Sequence, residues 1–244
     1  MIDTDVFLKL YERFGKDIKF KVLTEKAEKV VYEIETKEGV FILIVLPDLS
    51  GVQFFKYMVS QGLQQHFYEK GFPVAKVVYA YIVGKTVVVV HEKLSGSNMF
   101  EHTPENMEKM GEIAGRLHRF TASDEYKKIR LLFPYPNKVV HATLMFKEFC
   151  RRHISYWFKY FHLRGLPAGI CHRDFNKRNV FIDSSGHMGL IDFDVYRYQP
   201  FVEGLVRFYN RKITDKSFMG AFMRGYEKER PLTEAEKKYL KKFF

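Results

Sequence analysis

The sequence has few cysteines and no long apolar run, and these two absences exclude several classes of protein. Its two cysteines, Cys150 and Cys171, form no Cys-x-x-Cys pair. This excludes a disulfide-stapled scaffold and a cysteine-based zinc module, and it favours a reducing compartment. The longest apolar runs, at 40–47 and 86–90, are far shorter than the roughly 20 residues of a membrane-spanning helix. The acidic N-terminus also lacks the order of a signal peptide, so we expect a soluble, cytoplasmic protein.

Several common catalytic signatures are missing as well. The chain contains no P-loop, no Gly-x-Gly-x-x-Gly dinucleotide fingerprint and no Gly-x-Ser-x-Gly nucleophile elbow. His91-Glu92 begins like a zinc-protease motif, but the second histidine of that motif is absent. These absences exclude P-loop kinases, Rossmann dehydrogenases, α/β-hydrolases and zinc proteases of the common types.

Positive charge is in excess. The 244 residues include 40 Lys and Arg against 29 Asp and Glu, which gives a net charge of +11, and 46% of the residues are hydrophobic. The apolar content suits one large domain or two packed lobes. The charge favours an acidic partner such as a nucleotide, although runs of lysine are often only solvated surface. No nucleic-acid-binding motif accompanies it, so a nucleic-acid partner is disfavoured.

The pattern of the chain changes near residue 95. The first part is rich in strand signals, and the second part is rich in helical periodicity and caps. In the first part we predict strands at 30–35, 40–46, 75–82 and 86–92, and a helix over 50–70. In the second part we predict a helix that begins at Thr103-Pro104, an aromatic helix over 141–164, and a short helix after the capping-box pattern Thr233 to Glu236. We therefore predict an α+β fold with domains at 1–94 and 95–244.

The strongest chemical signal lies between His172 and Asp194. Two short apolar runs, 179–183 and 188–193, flank Ser184-Ser185-Gly186-His187, which predicts a β-hairpin. A turn centred on Ser185-Gly186 would place Asn179 directly opposite Asp192, with Cβ atoms about 4.5–5.5 Å apart. Amide and carboxylate oxygens so placed can share one Mg²⁺, and Asp174 lies on the loop that approaches the same end.

This set of side chains suits phosphoryl transfer. Asp174 would position an acceptor hydroxyl and take its proton, while Asn179 and Asp192 would hold Mg²⁺ on the phosphates of a nucleotide. The alternative is structural: a loop aspartate that caps a turn, followed by a core hairpin that ends in polar residues.

His172-Arg173-Asp174, Asn179 and Asp192-Phe193-Asp194 resemble the catalytic core of the kinase-like small-molecule phosphotransferases, the aminoglycoside phosphotransferase and choline kinase family. The pattern is most similar to the bacterial spore-coat-associated members, and next to small kinases that act on lipopolysaccharide sugars. The resemblance implies a bilobal protein-kinase-like fold, with a small antiparallel-sheet N-lobe and a larger helical C-lobe. It also implies ATP or GTP as phosphoryl donor, Mg²⁺ as cofactor, and a small-molecule hydroxyl, such as that of a sugar or cell-envelope component, as acceptor.

The resemblance is weaker in the first 95 residues. His91 to Gly96 is similar to the family's hinge, which makes Glu92 and Leu94 candidates for nucleotide binding. The family's nucleotide-binding lysine is replaced by an apolar residue, Ile44, and the helix that follows has no acid before Glu69 to pair with such a lysine.

The phosphate-covering loop that the resemblance assigns to 24–29 has no glycine. Lys26 or Lys29 could supply the missing charge, or both could be exposed loop charges. These departures support a second hypothesis, a pseudokinase-type scaffold or coat-associated binding protein with weak or no catalysis.

Two further residues have open interpretations. Glu203 lies where the family often has an aspartate that supports the active-site loop, but it could equally be an acid favoured by the start of a helix. His172 fits a structural role in the loop better than an acid–base role.

Overall fold

The computed structural model describes residues 4–49, 51–97, 101, 103–122, 163, 165–176, 178–193, 196–211 and 218–244. The described residues form two compact units, one over 4–94 and the other from residue 95 onward. Apart from Leu163, the helix predicted over 141–164 lies outside the described residues. Among the described helices, none has both the length and the apolar character needed to cross a membrane.

The first unit contains two helices and a five-stranded antiparallel sheet. The helices are α1 (Thr4–Phe14) and α2 (Gly51–Glu69). The strands are β1 (Lys19–Lys26), β2 (Lys29–Thr36), β3 (Gly39–Leu46), β4 (Val77–Val83) and β5 (Thr86–Glu92), in the spatial order β1-β2-β3-β5-β4.

Both faces of this sheet are covered, because side chains alternate along each strand. Leu43 and Val45 of β3 belong to the apolar cluster that α1 completes with Val6, Leu10 and Phe14. Their neighbours Ile44 and Leu46 belong to the cluster on the other face, where α2 contributes Tyr57 and Met58. The spacing of four residues in α1 puts its three apolar side chains on one stripe.

The second unit contains four described helices and two small antiparallel sheets. The helices are α3 (Pro104–Ala122), α4 (Phe201–Arg211), α5 (Met219–Glu229) and α6 (Glu234–Leu240). The strands are β6 (Ala168–His172), β7 (Val180–Ile182), β8 (Met188–Leu190) and β9 (Tyr196–Pro200); β6 pairs with β9, and β7 pairs with β8.

Helices α3 and α5 pack with their backbones in contact. A Cβ atom on Gly225 of α5 would overlap the carbonyl oxygen of Glu108, and one on Gly111 of α3 would overlap that of Phe222. A Cβ atom on Gly115 would lie 2.6 Å from the carbonyl oxygen of Tyr226. These positions therefore require glycine for space, not for backbone conformation.

A buried polar network continues from this contact. Arg230 donates a hydrogen bond to the Tyr226 hydroxyl at 3.0 Å, and this hydroxyl lies 2.9 Å from Nδ1 of His118. Since the hydroxyl accepts from Arg230, its own hydrogen is free to donate to His118. Burial lowers the pKa of His118 to about 3, and the charge of Arg230 acts in the same direction. His118 is therefore neutral near pH 7.

Most of the predicted local structure is confirmed. The strand and helix limits predicted for the first unit differ from the observed ones by at most two residues. Pro104 begins α3, where the Thr103 hydroxyl accepts from the Asn106 amide, and the capping box of Thr233 and Glu236 is present at α6. The interpretation of 24–29 as a loop is wrong, because only Ala27 and Glu28 lie between β1 and β2.

The predicted register of the β7–β8 hairpin is wrong by one residue. Phe181 pairs with Gly189, not with Leu190. The carboxylate of Asp183 accepts from the amides of Ser185 and His187, both at 2.9 Å, and Gly186 closes the turn at φ +81°. This is a three-residue turn with glycine in the left-handed region, which shifts the pairing relative to a two-residue turn.

Candidate active site

Residues 173–176 and 178–179, between β6 and β7, are held by hydrogen bonds from their own side chains. Asn176 donates from Nδ2 to the carbonyl oxygen of Asp174 at 2.7 Å and accepts at Oδ1 from the amide of Arg178 at 2.8 Å. The amide of Asn179 donates to the Asn176 carbonyl at 3.0 Å. Residues without regular secondary structure need such bonds to satisfy their backbone groups.

The loop brings Asp174 and Asn179 together. Nδ2 of Asn179 lies 2.9 Å from the carbonyl oxygen of Asp174 and 3.0 Å from its carboxylate Oδ2. Both partners are acceptors, so the amide must turn its NH₂ group toward them. Its Oδ1 is thereby left to accept from, or bind, another group.

Asp192 does not lie opposite Asn179, because the observed register of the hairpin differs from the predicted one by one residue. The hairpin register places Ile191, not Asp192, beside Asn179: the amide of Ile191 donates to the Asn179 carbonyl at 2.9 Å. Asp192 has φ +63°, in the left-handed region, which a residue other than glycine adopts at some cost. Such strain is typical of functional positions, where the surrounding fold imposes it.

A divalent cation here would depend on few protein ligands. Among the described residues, no group of three or more His, Cys, Asp and Glu side chains is placed to hold a metal ion. Mg²⁺ commonly takes one or two carboxylates, with phosphate and water oxygens for the rest. The Asp174–Asn179 pair and the nearby Asp192 fit a cation that arrives with a nucleotide better than a resident metal.

His172 connects the loop to the segment that precedes Asp192. Its Nε2 lies 3.1 Å from the Ile191 carbonyl, and because a carbonyl can only accept, this nitrogen carries the hydrogen. Its ring packs edge-on against Phe193 with centroids 4.9 Å apart. Burial lowers the pKa of His172, although the bond to Ile191 and the charges of the nearby aspartates oppose this effect. A neutral, hydrogen-bonded ring supports the structural role.

The nucleotide-binding candidates of the first unit lie at two ends of its sheet. Lys26 and Lys29 face each other across the β1–β2 turn. Val30, next to Lys29, pairs with Val45 of β3, whereas Glu92 pairs with Phe41 of the same strand. These two levels are about 14 Å apart along the strand. Glu92 ends β5 and Leu94 follows it. Lys26 and Lys29 therefore do not form one group with these two residues.

The position that the resemblance assigns to a nucleotide-binding lysine is part of the apolar core. Ile44 is 8% exposed and belongs to the cluster with Tyr57 and Met58 of α2. Two ladder positions away on the same face, the buried His91 has its Nε2 2.6 Å from Oε1 of Gln61 on α2. A buried polar pair thus connects sheet and helix. The sequence gives one signal for this pair, since His91 continues the buried alternation of Val87 and Val89 along β5.

Helix α4 contacts β6 and the loop that contains Asp174, but not through Glu203. The carboxylate of Glu203 accepts a hydrogen bond from the Tyr239 hydroxyl of α6 at 2.6 Å. Arg207, one turn later, donates from Nε to the carbonyl of Arg173 at 3.1 Å. Cys171 lies under the same helix, and burial raises the pKa of its thiol to about 12, so it is an inert core residue.

A mixed sheet-and-helix fold and a loop that pairs an aspartate with an asparagine five residues later define a kinase-like phosphotransferase. The chain belongs to the phosphotransferase enzyme family, whose sequence model matches residues 19–237. The predicted family and the α+β, protein-kinase-like fold class are thereby confirmed.

Curated relatives and solved structures agree with this family. Homoserine kinase of Neisseria meningitidis is 37% identical over 82 residues, which are 31% of this chain and 27% of that protein. The homoserine kinase of Mesorhizobium japonicum is 26% identical over an alignment that covers 96% of this chain and 78% of that protein. A spectinomycin phosphotransferase, solved with ADP and spectinomycin, superposes with a TM-score of 0.61 at 12% identity, over 92% of this chain and 80% of that one. The first match thus spans about a quarter of its relative, and the structural likeness shows the fold.

Proposed function

We propose that this protein is a nucleotide- and Mg²⁺-dependent phosphotransferase that acts on a hydroxyl group of a small molecule. The observation that carries the proposal is the pair of hydrogen bonds from Asn179 to the carbonyl and carboxylate of Asp174. Membership of the phosphotransferase enzyme family and the likeness to homoserine kinases support it. Residues 1–94 would carry the nucleotide-side groups, and residues 95–244 the acceptor side. The low cysteine count suits a cytoplasmic location.

Asp174 is the catalytic residue of the proposed reaction. Its carboxylate orients the acceptor hydroxyl and accepts its proton as the hydroxyl oxygen bonds to the γ-phosphorus. The bond between that phosphorus and the oxygen bridging it to the β-phosphate breaks, and the nucleoside diphosphate leaves. The hydrogen bond from Asn179 holds the Asp174 carboxylate in one orientation, which lowers the entropy that must be lost on reaching the transition state.

Asn179, through Oδ1, and Asp192, through its carboxylate, would hold the Mg²⁺ ion. When bound, the ion offsets the negative charge of the nucleotide phosphates. The donor set fits this ion because it supplies hard oxygen ligands and leaves the remaining positions to phosphate and water.

ATP is the favoured phosphoryl donor. The spectinomycin phosphotransferase with the same fold was solved with ADP. Glu92 and Leu94 at the end of β5, and Lys26 and Lys29 at the β1–β2 turn, are the proposed contacts in the first unit. Because these pairs lie at opposite ends of the sheet, each would meet a different part of the nucleotide.

The test combines a thermal-shift titration with a transfer assay. ATP and GTP, each with and without Mg²⁺, are added to wild type, Asp192→Asn and Asp48→Asn. Asp48 is a matched control because it is the other described aspartate with positive φ, at +50°, and lies in the first unit. Ligand at about 100 times its Kd adds about 2.7 kcal/mol of stability, which is a shift of several degrees. We expect a Mg²⁺-dependent shift with ATP that is lost in Asp192→Asn only.

The transfer assay uses labelled ATP and a panel of hydroxyl compounds that includes homoserine, spectinomycin, ethanolamine and sugars. Transfer of label to any of them, abolished in Asp192→Asn and kept in Asp48→Asn, supports the proposal. A Mg²⁺ effect equal in wild type and Asp192→Asn contradicts the metal-binding role of Asp192.

A second candidate function is a pseudokinase-type scaffold. Burial of Ile44 in the apolar core and the two-residue β1–β2 turn favour it, because both remove groups that would contact phosphates. On this hypothesis neither nucleotide shifts the unfolding temperature, and no compound of the panel is phosphorylated.

A further inference from the structure

One face of α4 contacts every second residue along β6 and the loop that follows it, from Gly169 to Phe175. A Cβ atom on Gly169 would lie 2.7 Å from the ring of Phe201, and one on Gly204 would lie 3.2 Å from Sγ of Cys171. Beyond these, the ring centroids of Phe208 and Phe175 are 5.7 Å apart. The paired positions are 201 with 169, 204 with 171, 207 with 173, and 208 with 175. The helix thus follows the chain up to and past Asp174.

The contact at Arg207 differs from the other three because it is a directional hydrogen bond. Nε of the half-buried Arg207 donates to the carbonyl oxygen of Arg173 at 3.1 Å, while the other contacts are van der Waals packing. A hydrogen bond from a charged donor is stronger than one between neutral groups. It is therefore the contact best able to fix the orientation of a peptide group.

That peptide group is the one that joins Arg173 to Asp174. Because a peptide unit is planar, fixing its carbonyl oxygen also fixes its amide and the direction in which the chain enters Asp174. The next carbonyl, that of Asp174, accepts from Asn176 and Asn179. Side-chain donors therefore hold the peptide groups on both sides of the Asp174 Cα, and this restricts where its carboxylate can point.

We propose that Arg207 is a positioning residue for Asp174, an inference that rests on the proposed phosphotransferase function. Arg207 supports the loop directly, a role that the resemblance suggested for Glu203. Glu203 is ill suited to this contact, since an ionised carboxylate has no hydrogen to donate to a carbonyl, and it accepts from Tyr239 instead.

The test uses three substitutions. Arg207→Met removes the donor and keeps the length of the side chain, Arg207→Lys keeps a charged donor, and Arg224→Met is the control. Arg224 is exposed on α5, and its ion pair with Glu108 is a surface contact. Turnover and KM are measured as ADP formation from ATP in the presence of Mg²⁺ and an acceptor from the transfer assay, and amide hydrogen exchange is followed over residues 173–179.

We expect Arg207→Met to lower kcat by about 10- to 100-fold, as the loss of other supporting hydrogen bonds does. KM for ATP should stay within about twofold, and exchange over 173–179 should be faster by about tenfold. Arg207→Lys should recover part of both losses, because its ammonium can donate but lacks the fixed geometry of the guanidinium. Arg224→Met should match wild type in all three measurements.

Two results would overturn the inference: unchanged exchange over 173–179 in Arg207→Met, or faster exchange with unchanged kcat. If wild type forms no ADP with any compound of the acceptor panel, the proposed function fails, but the exchange measurement still decides whether Arg207 fixes the loop. Should Arg207→Met not fold, Arg207→Gln, which retains an N–H donor on a neutral side chain, is compared with Arg207→Lys by the same criteria.

Discussion

The loop around Asp174 in the second unit and the sheet around Ile44 in the first unit treat polar groups in opposite ways. Around Asp174, polar side chains are held by hydrogen bonds at fixed spacing, with their chemistry available. At Ile44, the position that the resemblance assigns to a nucleotide-binding lysine, the side chain is buried in the apolar core, and the polar contact nearby is the His91–Gln61 pair. Asp174 and Asn179 are thus paired in the second unit, whereas the position of Ile44 itself offers no charge to a phosphate.

The largest effect is expected from Asp174→Asn. The substitution keeps the size of the side chain and an acceptor for Asn179 but removes the base, so kcat for transfer should fall by about 10³-fold. Nucleotide binding, measured by thermal shift, should change by less than about threefold. Asp17→Asn, at an exposed ion pair with Lys37, is the control. Transfer at the wild-type rate in Asp174→Asn would show that the comparison assigns the chemistry to the wrong region.

The next effect concerns what holds the second unit together. Gly225→Ala should destabilise the protein by about 3–4 kcal/mol, because the added Cβ atom would overlap the backbone of Glu108. Gly220→Ala, on the same helix but with its nearest neighbour at 4.0 Å, should be neutral or slightly stabilising. Urea unfolding of both variants gives the comparison. Equal stabilities would mean that α3 and α5 are not in backbone contact.

Ile44→Lys tests the first unit by placing a lysine at the position where the resemblance expects one. The ammonium would enter an apolar cluster, so the free energy of unfolding should fall by about 2–3 kcal/mol. Val40→Lys, on the same strand with 42% of the residue exposed, should change it by less than about 0.5 kcal/mol. Both values come from urea unfolding. An Ile44→Lys variant as stable as wild type would show that the apolar cluster around Ile44 can accommodate a charge.

The smallest effect is a pH dependence that belongs to the second unit. His118 has a pKa of about 3 when folded and about 6.5 when unfolded, so the unfolded state binds its proton first as the pH falls. The stability due to the neutral ring is fully present above pH 6.5 and is lost progressively toward pH 3. Between pH 7.5 and 5 the loss should be about 2 kcal/mol.

His118→Gln should remove this part of the pH dependence while keeping an acceptor for the Tyr226 hydroxyl. The exposed His187, replaced by Gln, is the control for the loss of a histidine elsewhere in the chain. Urea unfolding at several pH values gives the free energy of unfolding of each variant. The contributions of the carboxylates cancel when the value for wild type is subtracted. An unchanged slope in His118→Gln would mean that another group, such as the buried His172, dominates.

Local patterns in the sequence predicted much of the fold but not the details of the site. The β2–β3 hairpin, the helix cap at Thr103 and the capping box at Thr233 depend on neighbouring residues, and each is present. The register of β7–β8 could not be predicted, because the side chain of Asp183 decides which turn forms. Arg207 and the His91–Gln61 pair depend on contacts between elements far apart in sequence, for which a single chain contains no local signal.

The backbone contact between α3 and α5 has a consequence for the order of folding. Glu108 and Lys228, which form an ion pair across it, are 120 positions apart in the chain. During synthesis, α3 leaves the ribosome long before its partner helix exists, with Gly111 and Gly115 uncovered. Contacts of such long range form late and slow the formation of the native state. The second unit can therefore close its core only after most of its chain has been translated.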